Sequence, residues 1–147
     1  MSEMAKAAAR ADALSSLCAR FHVEILYVFG SRAEEVQEWQ AGRREALSPG
    51  PADVDVGVKL ARGYSPSVYD KVRLAQALED LWGVLRVDLV SLSELDPFLA
   101  ANVIRGERLY ARDEDAADEY DLYILRRAGD LAPLERERQM LILREGT

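Results

Sequence analysis

The chain has 147 residues, of which 49% are hydrophobic and 31% charged, with a formal net charge of −7. That length suits one domain that buries roughly two-thirds of its unfolded surface, so a core forms without staples. The acidic balance argues against stable direct binding of nucleic acid, which relies on Lys and Arg to neutralise phosphates. It is compatible with a nucleotide held through a divalent cation, and it suits a basic partner.

Cys18 is the single cysteine, so an intramolecular disulfide is excluded and a reducing compartment is expected. The first ten residues lack the apolar run of a signal peptide, and no stretch nears the roughly 20 apolar residues of a membrane span. The expectation is a cytoplasmic protein with no membrane association.

Residues 5–21 are rich in Ala, Leu and Arg with apolar positions at helical spacing, so they form the first helix, with Cys18 on its core face. His22, the one histidine, follows as a capping or surface residue. Residues 24–29 read Glu-Ile-Leu-Tyr-Val-Phe, a buried strand that stops at Gly30. Ser31 is the candidate N-cap of a helix over residues 32–39, with Glu34 completing a capping box. Residues 40–52 hold two Gly, two Pro and the Arg43-Arg44 pair, and form a loop.

Residues 53–60 alternate polar and apolar side chains as a strand does. A turn over residues 63–66 leads to a helix ending near Trp82, with Pro66 as a first-turn proline and Gly83 as the stop. Residues 85–90 are a third strand. Residues 91–105 are expected to be one helix ended by Gly106, and residues 108–110 a short fourth strand. From Asp113 to Arg144 the composition is helical, with Asp130 and Pro133 as candidate divisions. Strands alternating with helices imply an α/β fold, a mixed sheet with flanking helices and a C-terminal helical tail. Residues 1–112 would form the domain proper and residues 113–147 its helical extension.

Three acids stand out. Asp53 and Asp55, two apart on a strand, share one face, where they repel each other unless something positive lies between them. Mg²⁺ typically takes one or two carboxylates together with substrate phosphates. Asp88 sits in Val87-Asp88-Leu89-Val90, an acid flanked by apolar residues on another strand; a salt bridge to Arg86 or Arg73 would also account for it. If the strands are neighbours, the three carboxylates converge, and the third is placed to accept a proton from an attacking hydroxyl. Gly30 and Ser31, between a strand and a helix N-terminus, would offer backbone N–H groups and a hydroxyl to a phosphate.

Val28-Phe29-Gly30-Ser31-Arg32-Ala33, Ala52-Asp53-Val54-Asp55-Val56-Gly57-Val58 and Val87-Asp88-Leu89-Val90 together resemble the DNA polymerase β-like nucleotidyltransferase superfamily. More narrowly, they are similar to the minimal nucleotidyltransferases of the MntA type, antitoxins paired with HEPN-domain ribonuclease toxins. The resemblance covers residues 26–110. It implies a small nucleotidyltransferase fold in which Gly30 and Ser31 hold triphosphate. It likewise implies that Asp53, Asp55 and Asp88 form the catalytic, Mg²⁺-binding acids. Arg32 would contact phosphate or pair with Glu35.

The implied activity is transfer of AMP from ATP to a tyrosine of a HEPN toxin, which inactivates it. The chain departs from the family pattern in two respects. Residues 37–51 look like an insertion, expected to lid the site or touch a partner, and Ala52 stands where the family tends to carry Ser or Thr. Two other readings compete: an antitoxin that neutralises by binding alone, and a nucleotidyltransferase for a small molecule, for which the chain has little room to build an acceptor domain. Tyr120 and Tyr123 are candidate self-modification sites or helix-packing residues.

Overall fold

The computed structural model describes residues 2–145. Its elements are α1 (Glu3–Arg20), β1 (Val23–Phe29), α2 (Ala33–Gln40), β2 (Val54–Leu60), α3 (Val68–Trp82), β3 (Val87–Ser91), a 3-10 turn (Leu92–Glu94), α4 (Pro97–Ile104), β4 (Glu107–Ala111) and α5 (Glu114–Glu145). The strands form one mixed sheet in the order β3-β2-β1-β4. β1 runs antiparallel to both β2 and β4, while β3 runs parallel to β2. A parallel pair needs a crossover, and α3 provides it. The Ser67 hydroxyl accepts from Asp70 N, the Asp70 carboxylate accepts from Ser67 N, and left-handed Gly83 closes the far end. Because Ser67 is the cap, Pro66 lies just outside the helix rather than in its first turn.

Alternation along the strands sorts side chains to two faces. Leu26, Val28, Val54, Val56 and Val58 pack on Leu14, Cys18, Val36, Leu74, Leu78 and Trp82 from α1, α2 and α3. Ile25 and Tyr27 face the other way, onto Leu92, Ala101, Val103, Ala117 and Ile124. Gly57 lies on this second face, where an added Cβ would stand 2.4 Å from Val103 Cγ1, so α4 approaches closer than any side chain would allow. Cys18 is buried, and burial pushes its thiol up to about 12, so it behaves as a core hydrophobe. Among the described residues no helix is long and apolar enough to cross a membrane.

α5 is tied to the sheet by a polar network. The buried Tyr27 hydroxyl donates to Asp121, and Arg108 of β4 donates to Asp121 at 2.9 Å, Asp118 at 2.8 Å and Glu114 at 2.9 Å. Tyr27→Phe removes one buried bond but leaves Asp121 its arginine. Thermal or urea unfolding is expected to show a loss of about 1 kcal/mol. A loss above roughly 3 kcal/mol would mean that Tyr27 and Arg108 act as one unit.

Three local expectations are corrected. α2 begins at Ala33, with Arg32 in the cap position and no side-chain cap bond, so the Ser31–Glu34 capping box does not form. Gly30 turns the chain with φ +78 and its carbonyl accepts from Ala33 N, which leaves Ser31 exposed. Residues 91–105 are not one helix. Asp96 accepts from Phe98 N and Leu99 N and starts α4 afresh, and Pro97, lacking an N–H, cannot continue a helix from upstream. The tail is not divided at Asp130 or Pro133, since α5 runs from Glu114 to Glu145.

Candidate active site

The end of β1 meets the beginnings of β2 and β3. Antiparallel pairing sets Phe29 opposite Asp55, and parallel pairing sets Asp55 opposite Asp88 and Val54 opposite Val87. Since Val54 and Val56 point into the α1–α3 core, Asp53 and Asp55 point to the α4 face, with Asp88 beside Asp55. Burial raises the Asp55 carboxyl above the usual range, and the charges of Asp88 and then Asp53 raise it further. A hard cation beside Asp55 would relieve this repulsion.

Asp53 has a partner that the sequence reading assigned elsewhere. Arg86 Nε stands 3.7 Å from Asp53 Oδ2, and the ladder continues through Val54 N to Arg86 O at 3.1 Å. The Arg86 side chain is largely exposed. Its relation to Asp88, two residues apart across a strand start, was the available signal: both lie on the face of the acidic pair. Arg73 sits over the rings of Phe21 and Tyr69, away from Asp88.

Gly30 closes the arrangement. A Cβ there would stand 2.4 Å from Asp55 Oδ2, so only a glycine lets the turn come this near the carboxylate. Ser31 exposes its hydroxyl beside it, and the first turn of α2, whose N–H groups lack intrahelical acceptors, opens just beyond. Gly106 presses on the same strand end, where a Cβ would lie 2.3 Å from Val28 O.

Arg32 is turned away from this opening. It is buried, and its guanidinium donates to Ser48 O at 2.6 Å, Ala52 O at 3.2 Å and Glu35 at 3.3 and 3.5 Å. Of the two roles open to it from sequence, pairing with Glu35 is seen in the structure.

The remaining candidates lie elsewhere. His22 adopts φ +60 at the opposite end of β1, its ring 4.3 Å from that of Tyr64. Arg44 pairs with Glu38 at 3.3 Å, and Arg43 Nε lies 4.0 Å from Glu3. Trp82 is core and donates to Gln40, whereas Trp39 lies under Arg10. Tyr120 packs in the second core, its hydroxyl pushed up to about 12 by burial and then by Tyr123 and Asp121, while Tyr123 is exposed.

A family model described as Polymerase beta, Nucleotidyltransferase matches residues 13–115, a span that includes every residue of this site. The chain belongs to that nucleotidyltransferase family. Solved structures extend the likeness over nearly the whole nucleotidyltransferase chain. One, a toxin–antitoxin with AMP-PNP, is 21% identical with a TM-score of 0.62, covering 93% of this chain and 98% of its own. A second, a tri-AMPylated Shewanella oneidensis HEPN toxin in complex with MNT antitoxin, is 17% identical with a TM-score of 0.61, covering 96% and 99%. A third, the toxin–antitoxin MntA-HepT, is 17% identical with a TM-score of 0.60, covering 95% and 98%. At these identities the likeness establishes the fold. No curated protein sequence matches the chain.

The nucleotidyltransferase fold implies a divalent metal, and the donor set fits one in kind: carboxylate oxygens, with Asp55 crowded by two like charges. Among the described residues no three Asp, Glu, His or Cys side chains are gathered closely enough to hold a metal ion by themselves. Mg²⁺ bound here would have to draw further ligands from water and substrate phosphates.

Proposed function

We propose that this chain is a Mg²⁺-dependent protein adenylyltransferase. It moves AMP from ATP to a tyrosine of a HEPN ribonuclease toxin and thereby acts as the antitoxin. The observation that carries the reading is the pairing of Asp55 with Asp88, in register and beside Gly30, in a chain of this family. The full-length likeness to toxin–antitoxin structures supports the choice of partner. Met140, Leu141, Ile142 and Leu143 form an exposed apolar run on α5, and the net charge of −7 suits a basic partner.

In this reading Gly30 and Ser31 cradle the triphosphate, and Asp53, Asp55 and Asp88 hold Mg²⁺, which neutralises phosphate charge. The tyrosine oxygen forms a bond to the α-phosphorus as the bond to the β-phosphate oxygen breaks and pyrophosphate leaves. The phenol proton passes to a carboxylate, a role this reading assigns to Asp88. Catalysis then rests on positioning and charge neutralisation.

Arg86 is the cation at hand for the phosphates. Arg86→Ala is expected to raise the KM for ATP roughly tenfold, the loss of one charge-assisted contact, with a smaller change in kcat. Steady-state kinetics over a range of ATP concentrations measures both.

The primary test incubates the purified protein with labelled ATP, Mg²⁺ and its HEPN partner, with Asp53→Ala as control. Label on the partner that is lost in the variant supports AMP transfer. A stable complex without label would replace it with neutralisation by binding alone. Label on small molecules only would make the chain a small-molecule nucleotidyltransferase.

A further inference from the structure

We propose that Arg32 is a positioning residue, a latch that pins the loop of residues 41–53 to α2 and so sets where Asp53 stands. The inference rests on the nucleotidyltransferase reading above. Arg32 follows Gly30-Ser31 directly, and one of its acceptors, the Ala52 carbonyl, belongs to the residue just before Asp53. One planar guanidinium therefore ties the triphosphate turn to the backbone that carries the first acid. A guanidinium suits this because its donors lie in a fixed fork, and here they reach two carbonyls and a carboxylate at once.

Glu35 forms the other half of the latch. Its Oε1 accepts from both Arg32 and Ser48 N, and its Oε2 accepts from Arg32 Nε. Burial works against its charge, yet the bonds from Arg32 and Ser48 prevail and hold the carboxyl below its usual value. The first part of the loop is fastened separately. Arg10 donates to Trp39 O at 2.5 Å and Arg44 O at 2.7 Å while stacking 4.0 Å over the Trp39 ring, and Trp39 Nε1 donates to Glu45 O at 3.2 Å. Gly42, at φ +79, lies so close to α1 that a Cβ would stand 2.4 Å from Glu3 O. The inserted loop is thus a fastened wall of the site, held at one end by Arg10 and at the other by Arg32.

The test uses the full chain and two readouts: Mn²⁺ affinity by spin-resonance titration, and hydrogen exchange of the loop amides. Arg32→Ala is expected to weaken Mn²⁺ binding about tenfold, as loss of a residue supporting a metal ligand does, and to speed exchange over residues 46–53 while α3 stays protected. Arg32→Lys is expected not to restore either, since an ammonium cannot serve three acceptors in one plane. Glu35→Gln should move both readouts the same way by less, and it carries the test if Arg32→Ala does not fold. Arg43→Ala should change neither.

Unchanged Mn²⁺ affinity in folded Arg32→Ala overturns the positioning role. So does weakened affinity without faster loop exchange, which would place Arg32 at the ion's own surroundings. If the wild-type chain binds no Mn²⁺, the nucleotidyltransferase reading fails and the positioning role falls with it.

Discussion

Asp55→Asn is expected to abolish AMP transfer and, at the same time, to make the metal-free protein more stable. The first effect follows from removing the carboxylate that lies beside both Asp53 and Asp88. A loss of about 10²–10³-fold or more in kcat is the scale for deleting one electrostatic stabiliser. The second follows from the raised Asp55 carboxyl. A group whose folded pKa is raised binds more protons in the folded state, so stability falls as pH rises from the unfolded value through the folded one. Asparagine removes that penalty. Thermal unfolding near neutral pH without divalent ions should show a gain of roughly 2–5 °C, shrinking as the pH falls and Asp55 itself takes a proton. Metal affinity should run the other way, rising with pH through the same range as the proton is displaced. A variant that is inactive but no more stable would mean that something else already neutralises the three acids.

Gly30→Ala is expected to damage stability and chemistry together. The backbone there has φ +78, a region that costs an L-residue roughly 1–2 kcal/mol. The new methyl would also stand 2.4 Å from Asp55 Oδ2, so either the turn or the carboxylate must move. Displacement of reacting groups by about 1 Å can cost on the order of 10²-fold. The expected result is a destabilisation of about 1–3 kcal/mol by denaturant unfolding, with transfer reduced by about 10²-fold or more. Ser31→Ala, at an exposed residue outside any cap bond, should leave stability within roughly 0.5 kcal/mol of wild type. The pair separates the backbone requirement at Gly30 from the hydroxyl at Ser31.

The parts of this architecture that were legible in the sequence are those written in local periodicity. β1 ending at Gly30, the alternation of residues 53–60 and the apolar setting of Asp88 each announce a strand, because side-chain direction follows the backbone with period two. What periodicity does not encode is which strands are neighbours. The order β3-β2-β1-β4, and hence the meeting of Asp55 and Asp88, depends on the whole sheet.

Arg32 shows a second kind of loss. Its acceptors at Ser48 and Ala52 lie far along a loop whose course no pattern announces, so of its partners only Glu35 is legible from sequence. Arg86 stands near Asp88 on the chain, but its partner is Asp53 across the ladder. The missed cap at Ser31 has a simpler origin. A hydroxyl and an acid three residues apart make a box only when the backbone between them is helical, and Gly30 starts a turn instead.

The short connection between α3 and β3 has a bearing on the chemistry out of proportion to its size. Left-handed Gly83 ends the helix, and Glu79 reaches from the last turn of α3 to accept Val87 N at 3.0 Å, which fixes where β3 begins. Inserting or deleting one residue between Gly83 and Arg86 would slide β3 by one place. Every side chain on the strand would then exchange faces. Asp88 would turn into the valine core, Val87 (on insertion) or Leu89 (on deletion) would take its place beside Asp55, and a buried charge would replace a carboxylate of the candidate site. The length of this connector, more than the identity of its residues, therefore sets whether Asp55 and Asp88 meet.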